Sequence, residues 1–282
     1  MNTPFLADPQ VARNVFAGFA FVFGLLVGSF LNVVIARLPR EESIAYPGSH
    51  CPHCGNPVRP YDNIPVISWL ILKAKCRDCS APISSLYPTI ELMMGCVALL
   101  LYFQIFPSIT YFTAGNIAAY LLYFSFLSAL VAESFIDIKY YIIPDSLSIY
   151  AAPFAIGGMW LLEYLHSSQG IPWKESVLGA FFGGGTLALV AIVWWLIRRY
   201  EGMGWGDVKL LLLIGAMLGP WPALPFVFMC SAVAAIFIGI PVSLLQGKGL
   251  KAALPFGPFL AFASILWVFH GDEISRFWLY AV

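Results

Sequence analysis

The feature that most constrains this fold is a series of long apolar runs separated by short polar stretches. A helix needs about 20 apolar residues to cross the hydrocarbon core of a membrane. Runs of about this length lie at 14–36, 90–106, 116–136, 145–165, 176–197, 223–245 and 254–270. Because 60% of the residues are hydrophobic and only 11% are charged, too little polar surface is left for a soluble globule. The sequence therefore predicts an all-α polytopic membrane protein.

An eighth apolar run, 208–219, is shorter than the others. As a helix, its dozen residues would extend only about 18 Å. We therefore expect this helix to begin below the lipid headgroups, with its ends buried in protein or lining a wet cavity. Counting it with the longer runs, the sequence predicts about eight transmembrane helices.

The basic residues indicate how the chain is oriented, because Lys and Arg near helix ends stay in the cytoplasm. With the N-terminus outside, only Arg13, Lys174 and Arg276 lie outside. The residues that lie inside are Arg37, Arg40, Arg59, Lys73, Lys75, Arg77, Lys139, Arg198, Arg199, Lys209, Lys248 and Lys251. The first run lacks the basic start and cleavage site of a signal peptide, so we expect it to be retained. The formal net charge of zero argues against a nucleic-acid partner.

A polar block at 38–88, on the cytoplasmic side in this topology, contains two Cys-x-x-Cys pairs. Two such turns complete a tetrahedral set of thiolates suited to zinc. The predicted ligands are Cys51, Cys54, Cys76 and Cys79. Four protein ligands fill every position, so the zinc would be structural, and a block with few large apolar groups needs such a cross-link. The alternative is a redox pair or disulfides, which a reducing cytoplasm disfavours.

Acidic residues beside apolar runs are the candidates for chemistry, since a carboxylate at membrane depth is costly unless it is solvated, paired or functional. Asp137 ends the third run, where the helix dipole opposes an anion, and no structural purpose for it is evident. Asp207 follows a glycine-rich stretch that includes Gly204 and Gly206, and it begins the short run. That stretch would let backbone or an extended peptide approach closely. For Asp145, a role as the N-cap of the fourth helix is favoured.

The predicted topology puts Asp137 and Asp207 on the same side of the membrane, so they can converge on one water. Two such carboxyls can hydrolyse an amide, one taking the proton of the water and the other polarising the carbonyl. Helix position suggests Asp207 as the anion and Asp137 as the acid. Glu133 lies one helical turn before Asp137 and is a candidate substrate-binding residue or neighbouring charge; alternatively, it points into a wet crevice.

Six motifs in order then resemble the bacterial type IV prepilin peptidases, over nearly the whole chain except about 155–180 and the tails. They are GSFLNVVIARLP at 28–39, the Cys-x-x-Cys turns flanking RPYDNIP at 59–65, YP at 87–88 with Glu91, FID at 135–137 running to IPD at 143–145, GWGDVK at 204–209, and LPFGPF at 254–259. The sequence departs from the family pattern at Leu86, where the family often has Arg, and at Lys139-Tyr140, where it often has His.

This resemblance implies an inner-membrane aspartyl protease of the Gly-x-Gly-Asp type in which Asp137 and Asp207 are catalytic. Its substrates would be type IV prepilins and type II secretion pseudopilins, cut at the cytoplasmic face. Many family members also methylate the new N-terminus with S-adenosylmethionine, and the four-cysteine loop is associated with these bifunctional members. The residues that would bind this methyl donor are not identified by the sequence. The polar block at 38–88 divides the chain into a tail with the first helix (1–37), a cytoplasmic zinc domain (38–88) and, from the resemblance, a membrane aspartyl protease domain (89–282).

Two other classes remain open at this stage. A proton-coupled transporter would also place carboxylates in the membrane, and a pilus-assembly scaffold would also use a zinc loop. Neither explains why a glycine-flanked acid and a helix-terminal acid share one side. The glycine triplet at 183–185 could contact a substrate helix, although ordinary helix packing is the favoured interpretation.

Overall fold

The computed structural model describes residues 8–199, 204–245 and 254–280. The helices in these ranges are α1 (Pro9–Arg37), α2 (Ile67–Ile71), α3 (Leu86–Ile105), α4 (Ala114–Tyr140), α5 (Ala151–Tyr164), α6 (Trp173–Arg198), α7 (Trp205–Leu218), α8 (Ala223–Ala234), α9 (Ile240–Leu245) and α10 (Gly257–Tyr280). No β-strand occurs in these ranges. The predictions for Lys248 and Lys251 fall outside the described residues.

Each of the eight predicted apolar runs is largely helical, which confirms the all-α class. Among the described helices, four are long and apolar enough to cross a membrane: Pro9–Arg40, Leu86–Ile105, Ala114–Tyr140 and Trp173–Arg198. Another apolar helix, Ala223–Gly239, is shorter. Its last five residues, Ala235–Gly239, form a π-helical turn. The count of eight spans therefore stays a prediction.

The chain divides into two compact units, of which the first is Met1–Thr113. In this unit, α1 packs closely against α3 because glycine removes the side chains between them. A Cβ added at Gly24 would lie 2.4 Å from the Met94 carbonyl oxygen, and one at Gly28 would lie 2.6 Å from Glu91 Cα. The buried Asn32 amide donates to the carbonyl of Tyr87 at 3.2 Å, so it also joins α1 to α3. The four-cysteine loop belongs to this unit.

The second unit is Ala114–Val282, and its tightest helix pair is α6 with α7. A Cβ added at Gly179 or at Gly215 would lie 2.0 Å from the carbonyl oxygen of the other glycine. The hydroxyl of buried Ser176 donates to the Ala216 carbonyl across the same seam. Because backbone meets backbone here, α6 holds α7 in a single position.

The glycine triplet in α6 belongs mainly to this seam. A Cβ added at Gly183 would lie 2.3 Å from the Leu211 carbonyl oxygen, and one at Gly184 would lie 2.9 Å from Leu212 Cβ. Gly185 faces open space instead. Helix packing, the favoured interpretation, is therefore confirmed for the first two glycines.

The connection between α4 and α5 does not contain the helix N-cap that was predicted at Asp145. Tyr141 adopts a left-handed conformation with φ 57°, and its N–H donates to the Asp137 carbonyl at 2.9 Å, which ends α4. Hydrogen-bonded turns follow, and α5 begins only at Ala151. Tyr150 is the residue before the helix and makes no side-chain cap bond. The prediction that Asp145 is an N-cap is therefore wrong.

Candidate functional site

The Asp137 carboxylate lies in the last turn of α4 and is buried, with 6% of its surface exposed. Its Oδ2 accepts the N–H of Gly257, the first residue of α10, at 3.0 Å. The approach is so close that a Cβ at Gly257 would lie 2.8 Å from this oxygen. Asp137 therefore has a structural partner, which the sequence analysis did not find.

Asp207 lies in the first turn of α7 and is half-buried. Gly204 precedes this helix in an extended conformation, and a Cβ added there would meet nothing closer than the Gly206 nitrogen at 4.0 Å. The space around Gly206 is smaller, because a Cβ added there would lie 3.2 Å from Ile143 Cβ. The first glycine thus has open space around its own Cα, and the second lets the start of α7 lie against Ile143.

Ile143 links the two aspartates. It is buried, and its side chain lies beside Gly206 on one side and 3.5 Å from a Cβ placed at Gly257 on the other. We call Asp137, Ile143, Gly206, Asp207 and Gly257 the aspartate cluster. The cluster contains two carboxyl groups, the residue type that general acid–base chemistry on a water uses.

The structure weakens the argument that helix position separates the roles of the two acids, and which acid acts as the base stays a prediction. That argument placed Asp137 at a helix C-terminus, where the dipole favours the neutral form. In the structure, the Asp137 carboxylate instead receives the first N–H of α10, so it too faces a helix N-terminus. Both acids share this environment, and helix position does not tell the base from the acid.

Glu133 is completely buried, with 0% of its surface exposed, and neither carboxylate oxygen has a hydrogen-bond partner among the described residues. This burial does not fit the alternative of a side chain in a wet crevice. Glu133 lies one turn before Asp137 on α4, deeper in the apolar segment. Burying a carboxyl group without a partner is costly, so Glu133 is an unusual feature of α4, and its role in substrate binding stays a prediction.

The four predicted zinc ligands form one cluster in the first unit. The sulfurs of Cys51, Cys54, Cys76 and Cys79 all lie within 4.8 Å of one another, and Cys51 Sγ and Cys79 Sγ are 3.8 Å apart. Zinc–sulfur bonds of about 2.3 Å give a tetrahedron with edges of about 3.8 Å. The donor set and its spacing therefore fit a zinc ion.

The two halves of this cluster are built alike. The N–H groups of Gly55 and Ser80 donate back to the carbonyls of Cys51 and Cys76, each at 2.9 Å. Both of these residues adopt positive φ, 75° at Gly55 and 58° at Ser80. Backbone N–H groups at Cys54 and His53 lower the pKa of the Cys51 thiol to about 6, which favours the thiolate that a metal requires.

Ion pairs and one buried acid hold the cysteine loop in place. Arg77 binds Asp62 through two nitrogens, at 2.8 and 2.6 Å, and lowers the pKa of that carboxyl. This contact stabilises the loop above the ordinary pKa of Asp and weakens as the pH falls through the lowered value. Buried Glu91 on α3 accepts the N–H of Val66 at 2.7 Å, which joins the loop to the helix. Glu91 is thus a structural anchor of the loop.

Three residues in or beside the aspartate cluster were not predicted as site residues from the sequence. Gly257 and Ile143 lie in motifs that were noted only for their resemblance to a family. Lys209 forms an ion pair with Asp145, although these residues are 64 positions apart. Only LPFGPF carries a local signal, because proline is favoured in the first turn of a helix and so marks the start of α10.

Comparison with protein families gives two matches. Residues 22–105 match the model of the bacterial peptidase A24 N-terminal domain, within the first unit. Residues 124–240 match the model of the type IV leader peptidase family, within the second unit.

Curated relatives agree with these matches. A prepilin leader peptidase/N-methyltransferase of Aeromonas hydrophila is 37% identical, over 92% of this chain and 92% of the relative. Proteins of the same name from Burkholderia pseudomallei (strain K96243) and Myxococcus xanthus (strain DK1622) are 34% and 37% identical. The first alignment covers 95% of this chain and 90% of the relative, and the second covers 85% and 67%. No solved structure matches the chain significantly.

Proposed function

The chain belongs to the type IV leader peptidase family, and from this membership we propose that it cleaves prepilin leaders and N-methylates the new N-terminus. The observation that carries the peptidase half is the aspartate cluster, in which Ile143 lies beside Gly206, which precedes Asp207, and near Gly257, which donates its N–H to Asp137. Relatives of similar length named for both activities support the methyltransferase half. The transporter and scaffold alternatives have no comparable support.

In the proposed mechanism, Asp137 and Asp207 hold one water between them. One carboxylate removes a proton from the water, and the water oxygen attacks the scissile carbonyl carbon. The other carboxyl donates a hydrogen bond to the carbonyl oxygen as it becomes negative. Transfer of a proton to the amide nitrogen then breaks the carbon–nitrogen bond. Gly204 would give the extended substrate backbone access, and the N–H of Gly257 would keep Asp137 in place.

The membrane arrangement is part of the proposal. We propose eight membrane-spanning segments in a bacterial inner membrane, with the N-terminus outside and the aspartate cluster and cysteine loop facing the cytoplasm. The charge bias supports this orientation, with twelve basic residues inside and three outside. Lipid contact is supported by the exposed large apolar side chains along α1 and α6. The cytoplasmic zinc domain at 38–88 and the protease domain at 89–282 remain our functional division of the chain.

S-adenosylmethionine is the proposed methyl donor, and it would supply an electrophilic methyl group to the new N-terminal amine. The described residues contain no β-strand, so they offer no strand–turn–helix nucleotide site of the Rossmann type. The donor would therefore be held by another kind of site. Prepilins and type II secretion pseudopilins are the proposed protein substrates.

Mass spectrometry of a co-expressed prepilin tests both halves of the proposed function. In a host without its own prepilin peptidase, we expect the pilin to lose its leader and to carry one added methyl group on its new N-terminus. A pilin that keeps its leader contradicts the peptidase assignment. A pilin that is cut but unmethylated contradicts the methyltransferase assignment alone.

Replacement of one loop cysteine is expected to remove the zinc. We expect the purified wild-type protein to contain about one zinc per chain and the Cys51→Ser variant to contain almost none, since three thiolates bind far more weakly than four. Elemental analysis of detergent-purified protein measures this. Cys96→Ser is the matched control, because Cys96 lies on α3 outside the cluster and should leave zinc content unchanged. A zinc-free wild-type protein, or zinc retained in Cys51→Ser, would contradict the assignment.

A further inference from the structure

An ion pair joins the helix that begins beside Asp207 to the segment that follows Asp137. The Lys209 ammonium contacts the carboxylate of Asp145, and both side chains are partly exposed, at 28% and 48%. Lys209 comes two residues after Asp207 on α7. Asp145 lies in the hydrogen-bonded turns that connect α4 to α5. The pair therefore connects two parts of the chain that each carry one acid.

A second contact lies close to this pair. Ile143, two residues before Asp145, packs on Gly206, which directly precedes Asp207. The same connection is fixed at its start, where Tyr141 donates its N–H to the Asp137 carbonyl. The short segment 141–145 thus contacts the end of α4 at one point and the start of α7 at two points. These contacts link the end of α4, which carries Asp137, to the start of α7, which carries Asp207.

We propose that Lys209 and Asp145 are positioning residues that hold the two aspartates at the separation required to share a water. The proposal rests on the function proposed above. Exposed ion pairs contribute little to folding stability. A small displacement of catalytic groups can nevertheless slow a reaction greatly. Loss of the pair should therefore lower the turnover number and leave the melting temperature nearly unchanged.

Cleavage kinetics of the purified full-length protein with a prepilin substrate test this proposal. We expect Lys209→Met and Asp145→Asn each to lower kcat by roughly 10-fold, with KM changed by less than about twofold. The double exchange Lys209→Asp with Asp145→Lys restores the attraction with the charges reversed, so it should recover most of the lost kcat. Lys139→Met is the matched control. It removes a lysine two residues after Asp137, whose ammonium lies over the Tyr140 ring, and it should cleave at the wild-type rate.

Each result decides the proposal. Single variants as fast as wild type, a reversed pair no better than the single variants, or a rise in KM with kcat unchanged would each overturn it. A fall in melting temperature that parallels the fall in kcat would also overturn it, because the pair would then act through folding. Asp137→Asn and Asp207→Asn, assayed alongside, separate this result from the proposed function. Activity retained in those two variants refutes the two-carboxyl mechanism, whatever the Lys209 variants do.

Discussion

Replacing either Asp137 or Asp207 with asparagine is expected to reduce prepilin cleavage by at least about 1,000-fold. Asparagine keeps the shape of the side chain, but it cannot take a proton from water or donate an acidic one. At Asp137, the amide oxygen can still accept the N–H of Gly257, so the local structure should survive. The fraction of leader removed, measured over time on purified variants, gives the rates.

The losses of cleavage rate caused by the two replacements should not be additive. Because both acids act on one water, the Asp137→Asn, Asp207→Asn double variant should be about as slow as either single variant. Glu175→Gln is the control, since this exposed acid in the first turn of α6 should be replaceable without loss of activity. Zinc content should stay at the wild-type level in all of these proteins. Wild-type cleavage by either single aspartate variant would be incompatible with the mechanism.

One methyl group at Gly215 is expected to destabilise the protein strongly. The Cβ of Gly215→Ala would lie 2.0 Å from the Gly179 carbonyl oxygen, and backbone cannot move aside as a flexible side chain could. The helices α6 and α7 would have to separate, at a cost of about 3 kcal/mol, the upper end of the usual range for overpacking. Thermal unfolding and the yield of monodisperse protein in detergent measure the effect.

Gly185→Ala provides the matched control for this substitution. It adds the same methyl group to α6, but at a position with nothing within 4 Å. Alanine also favours helix over glycine by about 1 kcal/mol in soluble helices, so this variant should be as stable as wild type or slightly more stable. Equal stability of Gly215→Ala and Gly185→Ala would show that the close seam does not form in solution.

Much of this structure could be predicted from the sequence, because the strongest signals are local. Apolar runs predicted the helices, since backbone in a membrane must satisfy its own hydrogen bonds. Paired Cys-x-x-Cys turns predicted the cysteine cluster because each turn fixes two ligands by itself. Asp207 could also be picked out from the sequence, because Gly204 and Gly206 lie within three residues of it.

The missed features all depend on residues far apart in the chain. The partner of Asp137 is 120 positions away at Gly257, and the partner of Asp145 is 64 positions away at Lys209. A carboxylate before an apolar run looks like a helix cap, and only tertiary structure shows that Asp145 pairs with a lysine instead. Likewise, a glycine in a helix gives no sign of whether it faces another helix or lipid, which is why Gly183 and Gly185 differ.

The contact between Gly179 and Gly215 also limits how this enzyme can admit a substrate. Two helices in backbone contact cannot slide or rotate past each other without collision, so α6 and α7 must travel together as a rigid pair. Any opening that lets a pilin segment reach Asp207 must therefore come from elsewhere.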